Sequence, residues 1–237
     1  MVKTMSSPFL TPLRPPSSRM VTVDVYGYLA TAILRNEIPP ATKININAVA
    51  VSVGVSATPV REALARLEAD GLVTQRHLRG YSTTPLLTQG EIRELWQFRM
   101  LIEPYSASNA ALGASHELLA ALRQEIDSFT SAPTGSDFDS YQEFSAHDAR
   151  LHALILEASG NDVVTKAFKR THCHLHAFRL AYTGSAGRAT VDEHVDIVDR
   201  ILSRDSAGAA AAMLDHLTHS RDRLLPLAAG TDQQSVS

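Results

Sequence analysis

The chain has 237 residues, of which 44% are hydrophobic, and a formal net charge of −3 at pH 7. This size allows one large hydrophobic core or two modest ones, and no apolar run approaches the roughly 20 residues that span a bilayer, so we expect no membrane partner. The single cysteine excludes an internal disulfide and favours a reducing compartment, the cytoplasm.

The charge is divided unevenly along the chain. Residues 1–84 hold nine Lys and Arg against five Asp and Glu, a charge of +4, whereas residues 85–237 carry −7. A basic first part favours contact with nucleic acid, and the acidic remainder indicates a second, separate role.

The chain begins with a segment rich in Ser and Pro, residues 1–19, which is predicted to be a flexible arm. An amphipathic helix follows over residues 21–36, with one apolar face formed by Val25, Leu29 and Ile33. The next two prolines, Pro39 and Pro40, keep this helix from continuing, because proline interrupts the helical hydrogen-bond pattern.

Residues 48–73 have the pattern of a helix-turn-helix. Gly54 ends a short first helix, because glycine readily adopts the left-handed conformation. Ser56 is a natural N-cap for the second helix, and Pro59 lies in its first turn, where the missing N–H costs nothing. The second helix runs to Asp70 and buries an apolar stripe formed by Val60, Leu64 and Leu67.

The opposite face of the second helix carries small or hydrogen-bonding side chains, Thr58, Arg61 and Ala65, which suit a DNA major groove. Two strands are predicted next, residues 72–75 and 81–84, around a basic tip. Such a hairpin, or wing, can place basic side chains on phosphate or in the minor groove. The whole pattern predicts a winged helix-turn-helix that binds double-stranded DNA.

The run GVSATPVREAL, followed by RLEADGLV, resembles the N-terminal domain of the GntR family of bacterial transcription regulators. The resemblance implies a DNA-binding domain over residues 20–84 that recognises an operator. It also implies the DNA contacts, which are Asn47, Ser56, Thr58, Arg61, Arg79 and Gly80. The family usually has Arg where this chain has Ala57, which implies a different operator sequence or weaker binding.

A solvated helix face is the alternative interpretation for two of the basic residues in this domain, Arg61 and Arg66. On such a face, arginines form pairs with acidic residues one turn away, as Glu62 and Arg66 would. We adopt this interpretation for Arg66 and the DNA contact for Arg61.

After the wing, Pro85 and the Thr88-Gln89-Gly90 run mark a domain boundary. Thr88 with Glu91 predicts a capping box that opens a long helix to about Leu112. The later segments all have helical periodicity, at residues 115–131, 141–159, 162–182, 191–203 and 207–225. The fold class is therefore mainly α: a winged helix-turn-helix, then an all-helical bundle of six or seven helices over residues 88–228, then a flexible tail at 229–237. A second capping box is expected at Thr190 and Glu193.

Four polar side chains in the bundle lie on faces that should be apolar. Asp148 and His152 share the inner face of one helix at i,i+4 spacing, and His194 and His216 lie on the inner faces of the last two helices. Burying a carboxylate among imidazoles is costly unless its charge is compensated, and one divalent cation would satisfy all four. Three nitrogens and one oxygen suit Zn, Ni, Mn or Fe. The alternative is hydrogen bonding in the core, with Asp148 and His152 as a buried pair.

A second resemblance bears on these residues. DARLH at 148–152, SGN at 159–161, EH at 193–194 and MLDHL at 213–217 resemble the FCD effector domain of FadR-type GntR regulators. Many members hold a metal with one Asp and three His in this order. The resemblance therefore implies a divalent transition metal, with zinc as first choice, bound by Asp148, His152, His194 and His216.

Arg99 is a further polar residue on an inward face, which it shares with Trp96 and Ile102. A buried guanidinium needs a planar anion, and Glu103 at i+4 is one candidate partner. The run RMLIEP resembles the first helix of the FCD domain, whose Arg helps bind an acidic ligand. This resemblance implies that Arg99 binds a small carboxylate effector.

Several other histidines invite a metal interpretation. One of His172, His174 and His176 is expected to line the ligand pocket, and Cys173 is expected to be inert. His147 and His219 are predicted to face solvent or an interface.

These observations predict a ligand-responsive transcription regulator of the repressor type rather than an enzyme. We expect a homodimer formed by the helical domain, because palindromic half-sites need two-fold symmetry, and a ligand that changes the placement of its two DNA-binding domains. One alternative is a repressor that senses the metal itself. The other is a metalloenzyme fused to a DNA-binding module, which lacks an evident general base because Glu193 points about 100° away from His194 around their helix.

Overall fold

A computed structural model describes residues 24–129, 138–181 and 187–230. The chain divides into two compact units, Met1–Pro85 and Leu86–Ser237. The described part is mainly helical with one small antiparallel sheet, so the predicted fold class is confirmed. The predicted N-terminal arm and residues 231–237 of the predicted tail lie outside the described residues. No helix in the described ranges is long and apolar enough to cross a membrane.

In the described part of the first unit, residues 24–85, three helices are combined with a wing. Its elements are α1 (Val25–Leu34), β1 (Lys43–Ile44), α2 (Ile46–Val53), α3 (Ala57–Ala69), β2 (Val73–Arg76) and β3 (Gly80–Thr83). The sheet order is β1-β3-β2, with both pairs antiparallel and Gln75 opposite Tyr81 in the wing. The short strand β1 was not predicted, because two residues are too few to show an alternating pattern.

Local sequence explains where these helices start and stop. The side chain of Asn45 accepts hydrogen bonds from the backbone N–H groups at the start of α2, and Gly54 ends the helix with a φ of 76°. Ser56 occupies the N-cap position of α3, but its side chain makes no capping hydrogen bond. The predicted pair of Arg66 with Glu62 does not form. The guanidinium of Arg66 lies instead over the ring of Tyr26, 4.1 Å from the ring centroid.

The second unit is a helical bundle. Its elements are α4 (Gln89–Gly113), α5 (His116–Phe129), α6 (Phe138–Ala158), α7 (Asp162–Lys169), α8 (Cys173–Ala181), α9 (Arg188–Leu202), α10 (Ser206–Leu224) and a final 3-10 turn (Leu227–Gly230). Helix α4 is central, packing against α6, α9 and α10. This arrangement brings the inner faces of α6, α9 and α10 towards one region of the core.

Two details differ from the sequence-based expectations, and one agrees. The capping box of Thr88 and Glu91 at the start of α4 is confirmed. The second capping box was wrong, because α9 already begins at Arg188 and Thr190 lies inside it. The single helix expected over residues 162–182 is two helices, because the chain turns before α8, with His172 in the left-handed region at a φ of 48°. This turn sets the direction in which α8 presents its side chains.

Candidate metal centre and DNA-binding surface

The four predicted metal ligands lie together in the bundle. Asp148 and His152 come from α6, His194 from α9 and His216 from α10. One potential ligand atom from each lies within 4.8 Å of those of the others. The three histidines are buried, with at most 2% of their surface exposed. Helical spacing alone selected side chains that three separate helices bring to one point.

In two of the histidines, Nδ1 hydrogen-bonds to a carboxylate. His216 Nδ1 lies 2.9 Å from Glu193 Oε2, and His152 Nδ1 hydrogen-bonds to Glu103 Oε2. Ionised carboxylates only accept hydrogen bonds, so in both rings the proton is on Nδ1 and Nε2 has a free lone pair. Arg99 Nη2 also lies 3.4 Å from His152 Nδ1, but the carboxylate is much closer and determines the tautomer.

The third histidine, His194, reaches a carboxylate through another imidazole. His194 Nδ1 lies 3.3 Å from His147 Nε2, and His147 Nδ1 lies 2.9 Å from Glu125 Oε1. Because Glu125 accepts from Nδ1 of His147, Nε2 of that ring accepts from His194. In His194, too, Nε2 is therefore unprotonated and has a free lone pair.

The bare nitrogens face the carboxylate of Asp148. Oδ1 of Asp148 lies 3.2 Å from His194 Nε2 and 3.7 Å from His152 Nε2. These two buried Nε2 atoms have no hydrogen-bond partner among the described residues. A lone pair that faces a carboxylate oxygen at this distance is repulsive unless a proton or a metal ion lies between them.

Protonation of the imidazoles is the alternative to a metal ion. Burial lowers the pKa of His152 to about 4 and that of His216 to about 3, so both rings are neutral at pH 7. Neutral imidazoles with a carboxylate form a donor set that suits a divalent transition metal. The residues present therefore fit the predicted ion.

The other oxygen of Asp148 is held by α8. His174 Nδ1 lies 2.6 Å from Asp148 Oδ2, so Oδ1 is the oxygen that could bind a cation. Burial opposes ionisation of Asp148, but His174 and the other imidazoles outweigh it and hold the carboxyl pKa well below its ordinary value. Asp148 is thus a carboxylate in the folded protein.

Arg99 lies on a buried face of α4, as predicted. Its Nε lies 2.6 Å from Glu103 Oε1, and both side chains are almost fully buried. The guanidinium therefore forms an ion pair with Glu103, the alternative partner identified from sequence. Arg99 is not among the residues that line the cavity beside Asp148.

This cavity has a volume of about 270 Å³ and lies between α6, α8, α9 and α10. Its polar lining consists of Tyr141, Ser145, Asp148, His174, Thr190, Ser220 and Arg223. Arg223 is one-third exposed and bonds Glu193 through both terminal nitrogens, at 2.9 Å each. His174 Nε2 is buried without a hydrogen-bond partner among the described residues.

One residue near these four side chains, His147, was misjudged from sequence. His147 was expected at the surface, but it is fully buried and stacks on Phe129 with ring centroids 4.1 Å apart. Glu193 does not face His194, as expected, yet it contacts His216 on the neighbouring helix. His219 is 59% exposed, and its Nδ1 lies 3.1 Å from Glu193 Oε1.

The proposed DNA contacts lie at the surface of the first unit. All six are exposed: Asn47, Ser56, Thr58, Arg61, Arg79 and Gly80. Arg61 forms no ion pair with any described residue, so its guanidinium is available to a partner. Arg76 and Arg79 of the wing and Lys43 of β1 line one cavity, which concentrates positive charge on that face.

Comparison with known proteins places both units in families. Residues 22–82 match the family described as bacterial regulatory proteins, gntR family, and residues 94–219 match the FCD domain. A regulator from an unstable DNA locus of Streptomyces ambofaciens is 30% identical over 196 residues, which cover 82% of this chain and 80% of that protein. The Uxu operon transcriptional regulator of Escherichia coli is 28% identical over 79% of this chain and 78% of its own length.

Solved structures share the fold. A GntR transcriptional regulator from Rhodococcus sp. RHA1 aligns with a TM-score of 0.65 over 85% of this chain and 96% of its own, at 17% identity. McbR/YncC of Escherichia coli aligns with a TM-score of 0.61 over 87% and 99%, at 15% identity. The predicted class, a regulator rather than an enzyme, is confirmed by both matched families and by the relatives. The chain belongs to the GntR family of bacterial transcription regulators, with a DNA-binding domain followed by an FCD domain.

Proposed function

We propose that this regulator is a cytoplasmic repressor whose FCD domain binds one divalent transition metal and, beside it, a small organic acid that changes operator affinity. The proposed limits are residues 20–84 for the DNA-binding domain and 88–228 for the FCD domain. The ligands of the metal are Asp148, His152, His194 and His216, and zinc is the first choice because it accepts imidazole and carboxylate ligands.

The observation that carries this proposal is the set of bare nitrogens around Asp148. Each histidine has its proton on Nδ1, so three lone pairs and one carboxylate oxygen meet in a buried space. Without a cation this arrangement loses hydrogen bonds and gains repulsion, and both effects destabilise the fold. With a cation every one of these atoms has a partner.

The proposed effector site is the cavity beside Asp148. Pockets that take drug-sized ligands have volumes of roughly 300–1,000 Å³, so a cavity of about 270 Å³ suits a small molecule. Arg223 lines it, and its guanidinium can donate hydrogen bonds to a carboxylate. Arg223 lines this cavity and Arg99 does not, so we assign recognition of the effector's carboxylate to Arg223 instead.

Homodimer formation is supported by an exposed apolar face on α4. Leu101, Tyr105 and Leu112 are 77%, 50% and 69% exposed, and their spacing of four and seven residues places them on one side of the helix. Exposed apolar patches of this kind mark interaction surfaces. A second copy of the chain is the partner that two-fold symmetric operators require.

Operator recognition is proposed to use α3 and the wing. Thr58 and Arg61 are exposed on the second helix of the helix-turn-helix, which lies in the major groove in domains of this type. Asn47 and Ser56 lie at the starts of α2 and α3, where phosphate contacts are common. Arg79 and Gly80 lie at the wing tip.

The experiment uses full-length protein purified without chelator. Elemental analysis should find about one transition-metal ion per chain, and reloading with zinc should restore it after chelation. An operator duplex selected from randomised DNA is then titrated with apo protein, zinc-loaded protein, and zinc-loaded protein with a panel of small mono-, di- and tricarboxylates. A change in affinity only on adding a carboxylate supports the proposal, and a change on adding zinc alone supports a metal-sensing repressor. Protein that neither holds nor accepts an ion contradicts the metal site.

A further inference from the structure

Behind each histidine of the metal site stands a chain of hydrogen bonds that ends at an arginine. The acceptors nearest the imidazoles are Glu103, Glu193 and, through His147, Glu125. Each of these carboxylates is bonded to a different arginine from a different part of the bundle. The same pattern thus occurs three times among the described residues of this unit, and of these contacts the sequence indicated only the Arg99–Glu103 pair.

The first chain holds His216. Its Nδ1 lies 2.9 Å from Glu193 Oε2, and Arg223 donates to both oxygens of Glu193 at 2.9 Å. His219 adds a contact of 3.1 Å to Oε1. The bidentate arginine fixes the plane of the Glu193 carboxylate, and this plane in turn fixes the direction in which the imidazole points.

The second chain holds His194 and is longer, because an imidazole stands between the ligand and the carboxylate. His147 bridges them, with 3.3 Å from its Nε2 to His194 Nδ1 and 2.9 Å from its Nδ1 to Glu125 Oε1. Arg150, which is exposed at the protein surface, donates hydrogen bonds of 2.9–3.1 Å to Glu125. Stacking on Phe129, with an angle of 7° between the ring planes, fixes the orientation of His147.

The third chain holds His152 through Glu103 and Arg99, and all three side chains are almost fully buried. Such a buried ion pair is a poor source of stability by itself, since apolar residues of similar volume often do as well or better. Its occurrence behind a ligand imidazole indicates a role in orienting that ligand.

We propose that Glu193 and His147 are positioning residues of the metal site, which, together with Glu103, hold the three imidazoles in the tautomer and direction that bind the ion. This inference rests on the proposed metal site. An acceptor on Nδ1–H fixes which nitrogen is free and makes that nitrogen a better electron donor to a metal. The bundle then presents an organised site before the ion arrives.

The test measures zinc affinity by competition with a chromophoric chelator, using full-length protein. Glu193→Gln keeps the size of the side chain, but its amide can donate to Nδ1 and so stabilise the wrong tautomer of His216. His147→Phe keeps the stacking on Phe129 and leaves His194 without an acceptor. Losing such a partner typically lowers metal affinity by roughly 10–100-fold, and we expect this for both variants. His219→Ala, which removes only the exposed contact to Glu193, should bind zinc like the wild type.

Two further measurements separate positioning from folding. Thermal unfolding of the apo variants detects loss of structure, and the absorption spectrum of the cobalt-loaded protein detects loss of a ligand. A positioning role leaves the band positions of cobalt near those of the wild type while the affinity falls. Arg150→Ala, at an exposed end of the second chain, keeps the test decisive if His147→Phe does not fold, and should weaken zinc binding several-fold.

Unchanged zinc affinity in Glu193→Gln, and in whichever of His147→Phe and Arg150→Ala folds, overturns the inference while leaving the metal site intact. A wild type that does not bind zinc overturns the metal site, and the inference with it. These two failures are distinguished by the first titration, that of the wild-type protein.

Discussion

Arg223 bonds Glu193 through two hydrogen bonds of 2.9 Å and at the same time lines the cavity beside Asp148. One guanidinium therefore contacts both the residue that orients His216 and the space proposed for the effector. Arginine has five N–H donors, so the pair with Glu193 leaves donors for an anion in the cavity.

The position of Arg223 gives the first prediction. Arg223→Ala should abolish or strongly weaken the response to carboxylates, because the cavity loses its guanidinium. Calorimetric titration of zinc-loaded protein with an active carboxylate measures the loss. The second variant, Arg99→Met, tests the sequence-based assignment, and if it loses carboxylate binding while Arg223→Ala retains it, Arg99 is the effector residue.

Recognition by α3 gives the second prediction. Arg61→Ala should weaken operator binding by about 1–3 kcal/mol, the usual value of one good base or phosphate contact. Carboxylate and zinc binding should not change, because these sites lie in the other unit. Arg66→Ala on the same helix is the matched control, since Arg66 lies on the ring of Tyr26. Equal operator affinity of Arg61→Ala and wild type contradicts the assignment of α3 as the reading helix.

The wing gives the third prediction. Arg79→Ala should weaken binding to all DNA sequences by a similar factor, because a wing tip mainly meets phosphate or the minor groove. The slope of log affinity against log salt should become shallower by about one counterion. Fluorescence anisotropy over a range of salt concentrations measures it. Arg188→Ala, which removes an exposed arginine of α9, serves as control. An unaltered slope for Arg79→Ala would mean that Arg79 is a solvated turn residue that does not contact DNA.

What could be predicted from sequence depends on whether the signal is periodic. Asp148, His152, His194 and His216 each interrupt an apolar stripe, so helical spacing identifies them one helix at a time. Their resemblance to a family pattern then groups them.

Contacts between helices leave no such signal. Glu193 points away from His194 on its own helix, and only the packing of α9 against α10 shows that it meets His216. Arg99 lies on an inner face, as predicted, but the sequence does not indicate whether that face borders a cavity. A helical period reports which side of a helix is buried; it does not report what lies opposite.

The exposed face of α4 gives the fourth prediction. Leu101→Glu and Leu112→Glu place a carboxylate on the proposed interface and should convert dimers into monomers in sedimentation analysis. Both side chains are exposed, so the fold of the monomer should be preserved. Val163→Glu, on α7 and equally exposed, should stay dimeric. A dimer that persists in the α4 variants, or a monomeric wild type, contradicts this interface.

The last prediction concerns the ligands of the ion. His194→Ala and His216→Ala each remove one nitrogen from a different helix, and the remaining three ligands no longer enclose the ion. Both variants should lose most of the bound metal in elemental analysis. Wild-type protein should lose thermal stability on chelation, because ion binding to the folded state adds its binding free energy to the free energy of unfolding. In the two variants the difference in melting temperature between chelated and zinc-containing samples should disappear, since neither state then holds an ion. His219→Ala, one turn from His216 and exposed, should behave as wild type in both measurements. If the variants keep a full complement of metal, the ion is bound elsewhere, and the buried histidines have only hydrogen-bonding roles.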